Sequence, residues 1–92
     1  MNIPGQAALV TGAASGLGEA TARELARLGA KVAVLDVNMA LAEKVATEIG
    51  GVACQCDITN ADSVTAAIEK AAAAHGPARI LMNVAGIGGA KR

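Results

Sequence analysis

"TGAASGLG", residues 11–18, sets three glycines within seven positions (12–18) directly after the apolar run "AALV", residues 7–10. Glycine is a poor residue for strand and helix interiors, so this turn needs bare backbone. Three glycine-rich turns compete for it. A P-loop requires four residues between its glycines and then Gly-Lys-Ser/Thr; only three separate Gly12 from Gly16, and no lysine follows. A nucleophile elbow centred on Ser15 requires glycine where Ala13 and Leu17 stand. The common G-x-G-x-x-G fingerprint, begun at Gly16, meets Thr21 in place of its last small residue. The longer form T-G-x-x-x-G-x-G fits throughout. Gly12 then turns the chain out of the strand, Gly16 leaves room for a phosphate, and Gly18 allows close packing of the helix. The amides around Leu17 and the helix dipole favour phosphate charge, and the Ser15 hydroxyl can donate to it.

Working outward, apolar runs alternate with helical patterns. Residues 6–11, 31–36, 51–56 and 79–83 read as strands, the first as a continuous apolar run covered on both faces. Between them lie three helical patterns. The first carries Leu17, Thr21, Leu25 and Leu28 at helical spacing, with Glu19, Arg23 and Arg27 opposite, and Gly29 closes it. The second ends at Gly50. The third opens with Thr59 three positions before Asp62, a capping arrangement, and ends at Gly76-Pro77. Strands joined by single helices are parallel. The expectation is therefore one α/β domain over residues 1–92: a Rossmann-type parallel sheet, β-α-β-α-β-α-β, in the order 3-2-1-4 of a doubly wound fold.

Further chemistry falls at the carboxyl ends of these strands. Asp36 ends the second, eighteen residues after Gly18, where a carboxylate can accept both hydroxyls of an adenosine ribose. The same charge repels a 2′-phosphate, and neither Ala13, Val37 nor Asn38 supplies a cation. NAD is thus favoured over NADP. Asp57-Ile58 follows the third strand, and Val84, Ala85 and Gly86 follow the fourth after Asn83. Ligands of open α/β sheets bind outside this edge, beside the strand where the winding reverses. The turn at 12–18, Asp36, Asp57 and the segment 83–86 should meet in one crevice.

Composition excludes several other classes. The 92 residues carry eight basic and eight acidic side chains, so no electrostatic footprint for nucleic acid or anionic membrane is present. No run approaches the eighteen apolar residues of a membrane span, and no basic residue precedes Arg23 to form a secretory leader. A cytoplasmic location is expected. Hydrophobic residues make up 53% without one Phe, Tyr or Trp, which predicts a thin core rich in alanine. Cys54 and Cys56 would face the same way as small buried hydrophobes, with too few companions for a metal site. His75, in the last turn of the third helix, suits the exposed carbonyls there rather than catalysis.

Taken together, "TGAASGLG", "LD", "CDIT" and "NVAG" resemble the amino-terminal part of the short-chain dehydrogenase/reductase family, and the wording is most similar to its type-2 3-hydroxyacyl-CoA dehydrogenase-like branch. The resemblance spans the whole chain, roughly the first third of a family member. It implies cofactor contacts from Gly12, Ser15, Gly16, Leu17 and Gly18 at the phosphates and ribose, and from Asp36 at the adenine ribose. It further implies Asp57 and Ile58 beside the adenine, with Val84, Ala85 and Gly86 beneath the cofactor. Asn83 matches an asparagine that ties strands together. Val84 replaces a frequent second asparagine.

The resemblance also implies a reaction: hydride transfer between NAD and an alcohol or ketone, in a homo-oligomer, commonly a tetramer. The family's serine, tyrosine and lysine come after the fourth strand, and this sequence has no tyrosine. These residues are therefore expected to bind cofactor without catalysing, and a polypeptide ending here is expected to associate through an open fourth strand. The alternative is a non-enzymatic nucleotide-binding or interaction module.

Overall fold

A computed structural model describes residues 3–13 and 16–83. The chain runs β1 (Ala7–Thr11), α1 (Gly16–Arg27), β2 (Lys31–Asp36), α2 (Met39–Ile49), β3 (Val52–Gln55), α3 (Ala61–His75) and β4 (Ile80–Asn83). All the strand pairings are parallel, and the sheet order is β3-β2-β1-β4. The expected order and alternation both hold. Strands are shorter than the apolar runs: Gln6, Gly51, Cys56 and Arg79 fall outside them. Gln6 and Arg79 still join the neighbouring backbone, through Lys31 N–H to Gln6 C=O at 2.8 Å and Arg79 N–H to Ala7 C=O at 2.9 Å.

Alternation along each strand builds two cores. Ala8, Val10, Val32 and Val34 face α1 and α2, meeting Ala22, Ala42, Val45 and Ala46. Leu9, Ala33, Leu35 and Cys54 face α3, meeting Ala67 and Ala71. Two helices on one face and the third on the other is what crossovers of a single hand require when the winding reverses. The reversal falls between β1 and β4, and because the strands are parallel the carboxyl ends of β1, β2 and β3 lie along one edge. Half of the buried apolar residues among those described are alanine, so helices sit close to the sheet and the core is thin, as expected.

The face of α1 differs from its leucine spacing. Gly18 and Ala22 are its buried residues, while Leu17 is 60% exposed and Leu28 37%. Small residues win the sheet-facing side because they allow the closest approach; the leucines flank it. On the outer side Arg23 bonds Glu19 at 2.7 Å and also reaches Glu48 of α2. Gly29, at φ 96°, ends α1 as expected. Its N–H donates to Ala26 C=O at 2.9 Å and that of Ala30 to Leu25 C=O at 3.0 Å, a Schellman closure.

The cap of α3 also differs. Asn60, not Thr59, holds the N-cap, its side chain accepting from Asp62 N–H and Ser63 N–H. Thr59 is drawn away because its hydroxyl donates to Asp57 Oδ1 at 2.6 Å. His75 does lie in the last turn of α3, with its Nδ1 buried and without a hydrogen-bond partner among the described residues. No helix among those residues is long and apolar enough to cross a membrane.

Candidate functional site

Gly12 leaves β1 at φ 65°, and Gly16 opens α1 at φ 61°, a region that side-chain-bearing residues rarely adopt. Gly16 and Gly18 differ in surroundings. A Cβ on Gly16 would meet nothing within 4 Å among the described residues. Gly18 is buried, and a Cβ there would lie 1.9 Å from the Gly12 carbonyl oxygen. Its smallness serves contact with the turn itself as well as with the sheet. Leu17, exposed at the helix start, presents its side chain to solvent. The open, glycine-lined N-terminus of a twelve-residue helix is a favourable place for negative charge.

Beside this turn lies a cleft of about 280 Å³ lined by Gly12, Asp36, Val37, Cys56, Asp57, Ile58 and Thr59. Four predicted residues from three loops, Gly12, Asp36, Asp57 and Ile58, thus share one cavity. Backbone bonds fix the loops to one another: Ala13 N–H donates to Leu35 C=O at 3.3 Å, and Cys56 N–H to Asp36 C=O at 3.0 Å. Asp36 accepts the Asn38 N–H at 2.9 Å, which bends the chain into α2. Ser15, Val84, Ala85 and Gly86 lie outside the described residues. Asn83 ends β4 opposite Thr11.

Charge at the rim is negative. The Thr59 hydroxyl, and next its N–H, hold the Asp57 carboxyl below its ordinary range, and Asp57 N–H is capped by Ser63 Oγ at 2.9 Å. Two carboxylates therefore face a cleft whose other walls, Val37 and Ile58, are apolar and exposed. That combination can accept from hydroxyl groups, flank a flat apolar ring and disfavour a second anion. Cys56 forms part of the floor; burial, then the charges of Asp57 and Asp36, pushes its thiol up. Cys54 is raised by burial as well. Both are free and buried, as expected. The described residues contain no group of three or more His, Cys, Asp or Glu placed to hold a metal.

Sequence reasoning did not single out Thr59, which lines this cleft, or Gln55, which bonds the backbone of its Val37 wall. Thr59 had a signal: an Asp two positions before a Thr forms an Asx-turn, here with Thr59 N–H to Asp57 Oδ1 at 3.0 Å. Gln55, whose Nε2 donates to Val37 C=O at 3.3 Å, had none.

Comparison with known proteins identifies a family. A family model described as short chain dehydrogenase matches residues 6–92. The chain is 40% identical over 90 residues to "Borneol dehydrogenase, mitochondrial" of Lavandula x intermedia, covering 98% of this chain and 35% of that protein. It is 43% identical over 90 residues to D-threitol dehydrogenase of Mycolicibacterium smegmatis, covering 92% and 35%. The solved structure of 3-ketoacyl-(acyl-carrier-protein) reductase from Brucella melitensis, complexed with NADH, superposes with a TM-score of 0.83 at 44% identity, covering 86% of this chain and 34% of that one. The chain thus spans about a third of the length of these relatives.

Proposed function

The chain belongs to the short-chain dehydrogenase family of oxidoreductases, and on that premise we propose that it is the cofactor-holding part of an NAD-dependent enzyme acting on an alcohol or ketone. The observation that carries this reading is the joining of Gly12, Asp36, Asp57 and Ile58 in one cleft. In it Asp36 accepts the adenosine ribose hydroxyls, Val37 and Ile58 flank the adenine, and the glycines at the start of α1 receive the diphosphate. Ser15 donates to that diphosphate, and Val84, Ala85 and Gly86 pass beneath the cofactor. The bound dinucleotide supplies hydride chemistry; these residues orient it.

The negative rim supports NAD over NADP, because a 2′-phosphate would enter beside Asp36 and Asp57. A 3-hydroxyacyl-CoA is the narrower substrate we propose, with the whole protein a cytoplasmic homo-tetramer. Lacking any tyrosine, these 92 residues bind cofactor without completing hydride transfer.

Calorimetric titration with NADH tests the reading. Asp36→Ala removes charged acceptors and is expected to weaken NADH about tenfold or more. Affinity unchanged by that substitution, or no NADH binding by the unsubstituted protein, would overturn the assignment.

A further inference from the structure

We propose that Gln55 is a positioning residue for the nucleotide cleft, and that its amide, by holding Val37, sets how strongly Asp36 discriminates NAD from NADP. The inference rests on the reading of the cleft given above. Gln55 ends β3 directly opposite Asp36, the end of β2. In a parallel register, directly opposed side chains leave the sheet on the same face. From there Gln55 Nε2 donates to the carbonyl of Val37, the residue after Asp36. Only Val37 and Asn38 separate Asp36 from the start of α2 at Met39. A tie at Val37 therefore acts on the Asp36 peptide with almost no slack.

Several contacts hold this bend. The Cys56 N–H fixes the Asp36 carbonyl, and the Asn38 N–H engages the Asp36 carboxylate. Gln55 fixes the apolar wall that follows. The first joins backbone to backbone and survives most substitutions; the second needs the Asp36 carboxylate and the third the Gln55 amide. Gln55 is also neutral. It restrains the loop without weakening the negative field that a 2′-phosphate meets, as a lysine or arginine at this position would. Its exposure at the sheet edge means that replacing it opens no cavity. The effect belongs in ligand binding rather than in folding.

A double-mutant cycle tests the proposal, using dissociation constants for NADH and NADPH. Gln55→Met keeps the length and removes the donor; Gln55→Asn keeps the amide but falls a methylene short. Each is expected to weaken NADH about threefold, the size of one exposed hydrogen bond, and to affect NADPH less, narrowing the preference. In an Asp36→Ala background, where no carboxylate remains to be positioned, Gln55→Met is expected to change NADH affinity less than about twofold. An unaltered NADH/NADPH preference in both Gln55 variants, or an undiminished loss in the Asp36→Ala background, overturns the role of Gln55 and leaves the cleft assignment standing. An Asp36→Ala protein that binds NADH as before removes the assignment itself, whatever Gln55 does.

Discussion

Gly18 lies against Gly12 so closely that one added methyl group would stand 1.9 Å from the Gly12 carbonyl oxygen and 3.1 Å from Ala13 Cα. Both obstacles are backbone, so neither can swing aside as a flexible side chain would. Gly18→Ala must therefore push α1 off the turn, at a cost of about 2–3 kcal/mol. Gly16→Ala meets nothing within 4 Å among the described residues and bears the left-handed backbone strain, about 1 kcal/mol. Urea unfolding midpoints should rank the two in that order; equal losses would contradict the contact.

Asn60 should outweigh Thr59 in the stability of α3. Its side chain accepts from two orphan amides, Asp62 N–H at 2.9 Å and Ser63 N–H at 3.2 Å. Asn60→Ala is expected to lower unfolding free energy by about 1 kcal/mol. Replacing Asn60 by Asp, which keeps the acceptor, should restore most of the loss.

Asp57 gives the cleft a pH dependence. Its folded carboxyl titrates below its ordinary value because Thr59 donates to it. A depressed carboxylate contributes stability that is complete above the unfolded pKa and disappears as pH falls through the folded one. The window therefore lies below about pH 4. Thr59→Val removes the hydroxyl donor and leaves the N–H, so Asp57 should titrate closer to its usual range, and the acid loss of stability should become shallower. Carbon-detected NMR titration of the Asp57 carboxyl reads the first change, urea midpoints from pH 5 to 2 the second.

The two thiols report on the core. Cys54 and Cys56 are 0% and 2% exposed, and burial pushes both thiols up. Neither should react with an aromatic disulfide reagent at pH 8 until the protein unfolds, and both should then label together. Rapid native-state labelling of Cys56 alone would mean that the floor of the cleft opens independently of the sheet.

Much of this arrangement was legible in the sequence because its determinants are local. Val-rich runs, glycine stops at Gly29 and Gly50, and an acid at the end of a strand each act within a few residues. Topology then brings Gly12, Asp36, Asp57 and Ile58 to one rim. Less legible were features decided by competition between neighbours. Of the leucine stripe Leu25 packs against the core while Leu17 and Leu28 stay exposed, and Ala22 joins Gly18, the expected close-packing glycine, as a buried residue of α1. Thr59 looked like a cap until the Asp57 carboxylate claimed its hydroxyl. The tie from Gln55 to Val37 depends on the register between β2 and β3, which no stretch of either strand encodes alone.

The left-handed closure at Gly50 gives the molecule a spare end. This glycine follows α2 and leads back into the sheet through β3, at the opposite pole from the loops that form the cleft, and a Cβ on it would meet nothing within 4 Å among the described residues. A label or short insertion at that turn would lie away from the nucleotide's path. Any residue replacing Gly50 bears left-handed strain, however, and a Cβ on Gly51 would stand 2.3 Å from the Val32 carbonyl oxygen. Attachment there trades some stability for an unobstructed cleft.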